Sequence, residues 1–340
     1  MASSANGSRS KVLLLGEIEL AHSSWSAIAS LADVITPAAT SRDAFIAESL
    51  SGAFEGCSVA YRTFASFSIT GKIDGELLDA LPPSLRFICH NGAGYDQVDV
   101  PACTARGIRV SNTPTAVDDA TADMGIFLLL GALRNLAPSI ASLRAGEWRG
   151  KTPPALGHDP QGKVLGILGM GGIGRNMAKK AKVFGMEIRY YNRTKLDADV
   201  EQDIGAEWVD IETLLKESDV LSLNLPLNPN TRHIISTKEF AKMKRGITIV
   251  NTARGAVMDE AALVEALKSG QVGSAGLDVY EFEPDVHPGL IENPRCFLVP
   301  HMGTHTVETE TKMEEWAISN VRMAIESGVL RSVVPEQRSL

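Results

Sequence analysis

This sequence predicts an α/β fold built on parallel sheets and divided into two units, and three observations carry that reading. Short β-branched or aliphatic runs alternate with helical stretches along most of the chain, the pattern of right-handed βαβ crossovers. The alternation pauses at Gly146–Gly162, a loop-like stretch with three prolines and four glycines, and then restarts. The chain has 340 residues, about twice the usual size of one domain.

In the first third, Lys11–Leu15, Ser58–Tyr61, Arg86–Cys89 and Ile108–Val110 read as buried strands. Arg42–Leu50 and Asp74–Leu81 read as helices, the second stopped by Pro82-Pro83. Asp118–Leu136 is a longer apolar helix, expected to be buried on most faces. The second series has strands at Lys163–Gly169, Glu187–Asn192, Ala206–Val209, Asp219–Leu225, Ile247–Thr252, Ser274–Val279 and Cys296–Pro300. Its helices are Ile173–Phe184, Ile211–Glu217 and Lys238–Lys244. Glu308–Ser327 reads as a final amphipathic helix, long enough to return to the first third.

Hydrophobic residues make up 44% and charged ones 22%, which argues against global disorder. The charge sum is 33 − 41 = −8, so nucleic acid and anionic membrane surfaces are poor partners. Near the start the longest aliphatic run is Val12–Leu15, far below the ~18 residues of a bilayer span. Met1–Ser10 reads as a Ser/Ala/Gly/Asn-rich arm, and the closing Arg-Ser-Leu carries no targeting signal. Cys57, Cys89, Cys103 and Cys296 lack Cys-x-x-Cys spacing, so a reducing, cytoplasmic setting is expected.

The strand Val164–Leu168 runs into Gly169-Met170-Gly171-Gly172-Ile173-Gly174 and then a helix. This is G-x-G-x-x-G in strand–turn–helix context, where Gly169 permits the turn, Gly171 a close pyrophosphate and Gly174 close packing. The helix N-terminus then offers unpaired N–H groups to that phosphate. At the end of the next strand stands Asn192, where a carboxylate usually reads the ribose 2′-OH. Arg193, Thr194 and Lys195 follow it and supply donors for a 2′-phosphate; the alternative is an exposed basic turn. NADPH is therefore the expected cofactor, with NADH weaker.

Three later strand ends each carry a chemically useful side chain. Arg254, in Asn251-Thr-Ala-Arg-Gly255, has the fork geometry to hold a carboxylate and polarise an adjacent keto oxygen. Glu283 closes Gly276-Leu-Asp-Val-Tyr-Glu-Phe-Glu283, and His301 sits in Pro300-His-Met-Gly303. A histidine can give a proton to a carbonyl oxygen and take it back, and a neighbouring carboxylate keeps its imidazolium populated. His301 and His305 also have the i, i+4 spacing of a zinc hydrolase, but Met302 stands where such enzymes carry glutamate.

On GMGGIG, NTARG, GLDVYEFEP, PHMG and Asn91-Gly-Ala-Gly-Tyr-Asp96, the chain resembles the D-isomer-specific 2-hydroxyacid dehydrogenase family over roughly residues 11 to 330. The resemblance implies two Rossmann-like/flavodoxin-like parallel-sheet domains with a cleft between them. The substrate domain would be discontinuous, residues 1–112 and 305–340, with the dinucleotide domain at 113–304. It implies Arg254, Glu283 and His301 as the catalytic trio, and Gly92, Ala93 and Gly94 as a substrate-carboxylate loop. For the cofactor it implies Thr121, the residues 169–174, Asn192, Arg193, Thr194, Leu225, Pro226, Thr231, Thr252, Ala253, Arg254, Asp278, His301, Gly303 and Thr304. Asp278 is the residue that reaches the nicotinamide amide in this set.

The implied activity is NADPH-dependent reduction of 2-keto acids to D-2-hydroxy acids, by a homodimer formed through the cofactor domain. Glu283 in place of glutamine argues against formate dehydrogenase. PHMGTHT and NRT resemble glyoxylate/hydroxypyruvate reductases, while HNGAGYDQVD and AGLDVYEFEP resemble D-mandelate-type dehydrogenases for bulkier acids; both stay open. Tyr61, Arg62 and Phe64 are expected near the pocket. A cofactor-sensing co-repressor on the same fold is the alternative from another functional class.

Overall fold

In the computed structural model, which describes residues 9–150 and 154–340, every pairing between strands is parallel. Of the expected arm Met1–Ser10, residues 1–8 lie outside the described residues, while Ser10 already belongs to the first strand. The chain divides into two units, Met1–Val117 with Thr306–Leu340, and Asp118–His305. Residues 113–117, placed in the dinucleotide part by the sequence, group with the first unit; Thr113 N–H bonds to Gly92 O at 2.9 Å.

The first unit runs β1 Ser10–Leu15, α1 His22–Leu31, β2 Ala32–Ile35, α2 Arg42–Leu50, β3 Cys57–Thr63, α3 Phe67–Thr70, α4 Gly75–Ala80, β4 Phe87–Asn91, α5 Val100–Ala105 and β5 Arg109–Ser111. Its sheet order is β2-β1-β3-β4-β5, the flavodoxin-like order. Val12 and Leu13 point to opposite faces of β1 yet are both buried, because helices cover each side. Asp74 and Asp99 accept the N–H groups of Leu77 and Ala102, which is why α4 and α5 start where they do. The sequence reading missed α1, β2, α3 and α5, whose short runs carry weak periodicity.

The second unit runs α6 Asp118–Leu133, α7 Leu136–Arg144, β6 Val164–Leu168, α8 Gly172–Val183, β7 Glu187–Tyr191, α9 Ala198–Ile204, β8 Ala206–Trp208, α10 Ile211–Glu217, β9 Val220–Leu223, α11 Thr237–Phe240, β10 Ile247–Asn251, α12 Glu260–Ser269, β11 Val272–Leu277, α13 Pro288–Ile291 and β12 Cys296–Leu298. The order β12-β11-β10-β9-β6-β7-β8 reverses direction between β6 and β9. Ligands of open α/β sheets bind at such a switch point, off the carboxyl ends of the strands. The helix α12 went unread in the sequence although Asp259 caps it and Gly270, at φ +73°, ends it.

The long apolar helix differs from expectation. It stops at Leu133, because Asn135 takes a left-handed backbone (φ +51°), and α7 departs at 83°. Within the unit α6 packs closely on α8 and the sheet: a Cβ at Gly131 would lie 2.6 Å from Phe297, and one at Gly276 2.7 Å from Leu128 O. No single helix among the described residues is long and apolar enough to cross a membrane.

The chain returns to the first unit as α14, Val307–Ser327, capped by Thr306 and packed on β3, β4 and α1. Its buried Glu314 accepts the N–H groups of Glu19 (2.7 Å), Leu20 (2.9 Å) and Ala21 (2.7 Å), fixing the segment that enters α1. Three charge-assisted bonds on one carboxylate make this a strong anchor.

Candidate active site

At the switch point β6 delivers Gly169, whose φ of +100° and a built Cβ only 2.6 Å from Asn224 O leave room for glycine alone. A Cβ at Gly174 would lie 2.4 Å from Gly169 O, so helix and loop touch there. Gly171 is different: nothing lies within 4 Å of its missing Cβ, so its bare backbone faces open space. No side chain caps α8, which leaves its first N–H groups for an anion. Nearby, Thr252 Oγ1 is buried with no partner among the described residues. An open glycine face, an uncapped helix and an orphaned hydroxyl fit a dinucleotide.

Asn192 does something its position did not reveal. Its Oδ1 accepts Met170 N–H at 2.7 Å, so it holds the glycine loop. Arg193 and Thr194 are exposed, while Lys195 is drawn to Glu201 at 3.3 Å. Thr231 closes its own loop, donating to Pro226 O at 2.6 Å and accepting from Asn228 N–H at 2.9 Å. Leu225 packs against Gly169.

The three strand-end side chains come together in the second unit. Buried Asn251, at the end of β10, donates to Arg254 O (2.9 Å) and accepts Ala253 N–H (3.0 Å), which shapes the Thr252–Arg254 turn. Glu283 Oε1 accepts Tyr280 N–H at 2.9 Å, and its Oε2 meets His301 Nδ1 at 2.8 Å. Burial alone would raise the Glu283 carboxyl; the bond and charge of His301, the Tyr280 N–H and the nearby Arg254 cation carry it below the ordinary range. Glu283 therefore faces the imidazole as a carboxylate.

His301 itself sits in a left-handed backbone (φ +55°), which a β-carbon disfavours by about 1 kcal/mol. Asp278 overrides that preference. Its backbone O accepts His301 N–H at 2.8 Å, and its carboxylate takes the N–H groups of Met302 and of Gly303 (2.9 Å). Asp278 is thus engaged with the histidine turn, and burial pushes its carboxyl upward. Thr121, at the start of α6, lies against Gly303 with its Oγ1 3.5 Å from the missing Cβ. Residues 301–305 form a turn and not a helix, so the spacing of His301 and His305 does not place both rings on one helical face.

A second acid–base pair braces the Tyr280–Glu283 turn from behind. Glu281 accepts from Arg232 Nη2 (2.8 Å) and meets His233 Nε2 (2.7 Å), and its own N–H reaches Glu260 at 2.6 Å.

In the first unit, Gly92, Ala93 and Gly94 form the loop after β4. Tyr61, expected near the pocket, is fully buried with its ring 5.3 Å from that of Trp25, and Arg62 is fully buried too; Phe64 is exposed. The period of two in β3 turns Tyr61 into the core under α14, which a strand-end count overlooks.

Sequence reading also missed Asp118. Its carboxylate lies over Gly172, with Oδ2 1.9 Å from where a Cβ would stand, at the first residue of α8. The only hint in the sequence is the Asp118-Asp119 pair opening a helix. Burial, with Asp119 adding and Arg175 opposing, pushes its carboxyl up to about 6.

The profile described as "D-isomer specific 2-hydroxyacid dehydrogenase, NAD binding domain" matches residues 126–303. The chain is 54% identical over 328 residues to 4-methyl-2-oxopentanoate reductase A of Aspergillus oryzae, covering 96% of this chain and 98% of that one. The crystal structure of a glyoxylate reductase from Paecilomyes thermophila superposes with a TM-score of 0.94 at 53% identity, covering 98% of this chain and all 100% of that one. Holo D-mandelate dehydrogenase of Rhodotorula graminis gives a TM-score of 0.90 at 34% identity, covering 96% and 98%.

Asp118 is expected to make the glycine loop's affinity for an anion sensitive to pH. Below about 6 its carboxyl is neutral; above, a negative charge stands beside the first turn of α8. Wild-type affinity for a nicotinamide dinucleotide should fall about fivefold from pH 5 to pH 8, whereas Asp118→Asn should show no such slope by fluorescence titration. The same group binds its proton more tightly folded than unfolded, so stability declines as pH rises from the ordinary carboxyl range to about 6. Urea unfolding of Asp118→Asn should lack that decline; identical pH profiles for the two proteins would refute the assignment.

Proposed function

Because the chain belongs to the D-isomer-specific 2-hydroxyacid dehydrogenase family, we propose that it reduces 2-keto acids to D-2-hydroxy acids with NADPH. The observation that carries this is the 2.8 Å contact of His301 Nδ1 with Glu283, beside Arg254. When bound, the nicotinamide supplies the hydride to the 2-keto carbon. Arg254 holds the substrate carboxylate through its planar fork and stabilises charge growing on the keto oxygen. With Nδ1–H directed at Glu283, the His301 proton available to the keto oxygen is the one on Nε2. Ionised Glu283 accepts the Nδ1–H and so fixes the ring before and after transfer. In the reverse direction the neutral ring takes the hydroxyl proton back.

For NADPH over NADH the support is local. No carboxylate ends β7, Asn192 is engaged with Met170, and exposed Arg193 and Thr194 offer donors where a 2′-phosphate would lie. The names of two relatives, at 54% and 53% identity, support a range that includes glyoxylate and branched 4-methyl-2-oxopentanoate.

We also propose a homodimer through the second unit. Leu136, Ile140 and Leu143 recur on one side of α7, none is buried, and exposed Phe127 of α6 and Trp148 lie in the same part of the chain. Leu143→Glu should convert a dimer to a monomer by light scattering; a wild-type monomer would end this reading.

His301→Ala should lower kcat by about 1,000-fold while the NADPH dissociation constant stays within about twofold, and retention of turnover would exclude the acid–base role. Arg193→Ala should raise the NADPH KM by about tenfold and leave that for NADH nearly unchanged. Assays with glyoxylate, 4-methyl-2-oxopentanoate and phenylglyoxylate would measure both.

A further inference from the structure

The loop after β4 has three successive carbonyls tied down inside the first unit. Thr113 N–H donates to Gly92 O (2.9 Å), Asn112 Nδ2–H to Ala93 O (2.8 Å), and His90 Nε2 meets Gly94 O at 2.9 Å. In a trans peptide the C=O and the following N–H point in opposite directions. The N–H groups of Ala93, Gly94 and Tyr95 are therefore each turned away from the bond made by the carbonyl of the same peptide. None of the three has an acceptor among the described residues. Consecutive N–H groups presented together make an anion-binding concavity.

What holds the third carbonyl is a buried chain of side chains. Arg62 Nη1 donates to His90 Nδ1 at 3.1 Å, and Arg62 Nη2 to Gln97 Oε1 at 2.6 Å. Since a guanidinium only donates, Nδ1 is the acceptor and the ring proton sits on Nε2, aimed at Gly94 O. Arg62 is 0% exposed and His90 1%. Burial draws the guanidinium down to about 10, with Asp96 opposing, so it remains a cation at neutral pH. Placing a cation there costs several kcal/mol before compensation, and one of its N–H groups, Nε, has no partner among the described residues. The loop rests directly on the ring: a Cβ at Gly92 would stand 2.6 Å from His90 Nε2.

We propose that Arg62 and His90 are positioning residues, which through the Arg62–His90–Gly94 chain fix the N–H groups of Ala93, Gly94 and Tyr95 to receive the substrate carboxylate. This rests on the reductase reading above. The buried cation polarises the imidazole, and the imidazole orients the peptide plane whose N–H belongs to Tyr95. Neither side chain touches substrate in this role, so each acts on binding and not on the chemical step.

The test uses two polar replacements of His90 in the full chain. His90→Asn can still accept from Arg62 but is too short to reach Gly94 O, whereas His90→Gln places an amide N–H near the lost Nε2–H. His90→Asn should raise the 2-keto acid KM by about tenfold, with kcat within about threefold and the NADPH dissociation constant unchanged. Amide hydrogen exchange of the peptide spanning residues 91–97 should quicken in His90→Asn. His90→Gln should restore both KM and exchange to within about threefold of wild type. Wild-type KM and exchange in His90→Asn, or equal defects in both variants, would overturn the proposal. Should the wild-type protein turn over no 2-keto acid, the reductase reading falls, and the exchange rates of the two variants decide the chain of bonds.

Discussion

The carboxylate of Asp278 is the contact on which the candidate site depends. It is buried at the end of β11, and it collects the backbone N–H groups of Met302 and Gly303 while its own carbonyl takes that of His301. A histidine in left-handed backbone is unfavourable by itself, and three bonds to one residue more than offset that cost. Without this turn nothing brings the ring of His301 to Glu283 at 2.8 Å. Strain held by a buried anion is a common way to pre-set a reacting group.

Bare backbone plays the corresponding part on the dinucleotide side. Gly174 and Gly276 are glycines because another chain segment occupies the place of a Cβ, whereas Gly171 is one whose missing Cβ faces nothing. The first two serve packing, of α8 on its loop and of α6 on the sheet. Gly171 leaves an opening beside the unpaired N–H groups of α8. One short motif therefore contains both a packed glycine and an open one, and only geometry separates them.

Charge is handled locally in a chain whose net charge is −8. Glu314 is satisfied by three N–H groups, Glu281 by Arg232 and His233, and Glu283 by His301 with Arg254 near. Each of these three carboxylates has a dedicated donor set, as low-dielectric surroundings require. The acidic total thus says little about the site, where Arg254 presents the opposite charge.

The sequence by itself determined the α/β class, the restart of the β/α series near residue 163, the glycine turn, and the strand-end positions of Arg254, Glu283 and His301. Those features rest on short-range rules: period-two burial, the need for glycine at a tight turn, and the placing of ligand groups after parallel strands. Its misses were α1, β2, α3, α5, α7, α9, α12 and α13, where runs are short or the periodicity went unread, and the break at Asn135, which a continuous apolar pattern conceals. Only the tertiary structure decided that Asn192 grips Met170, that Asp278 builds the histidine turn, that Asp118 lies over Gly172, and that Tyr61 faces the core. Each of those facts joins residues from separate strands or helices. Their partners are set by how the sheets stack and twist, a property of the folded chain as a whole that no local pattern encodes.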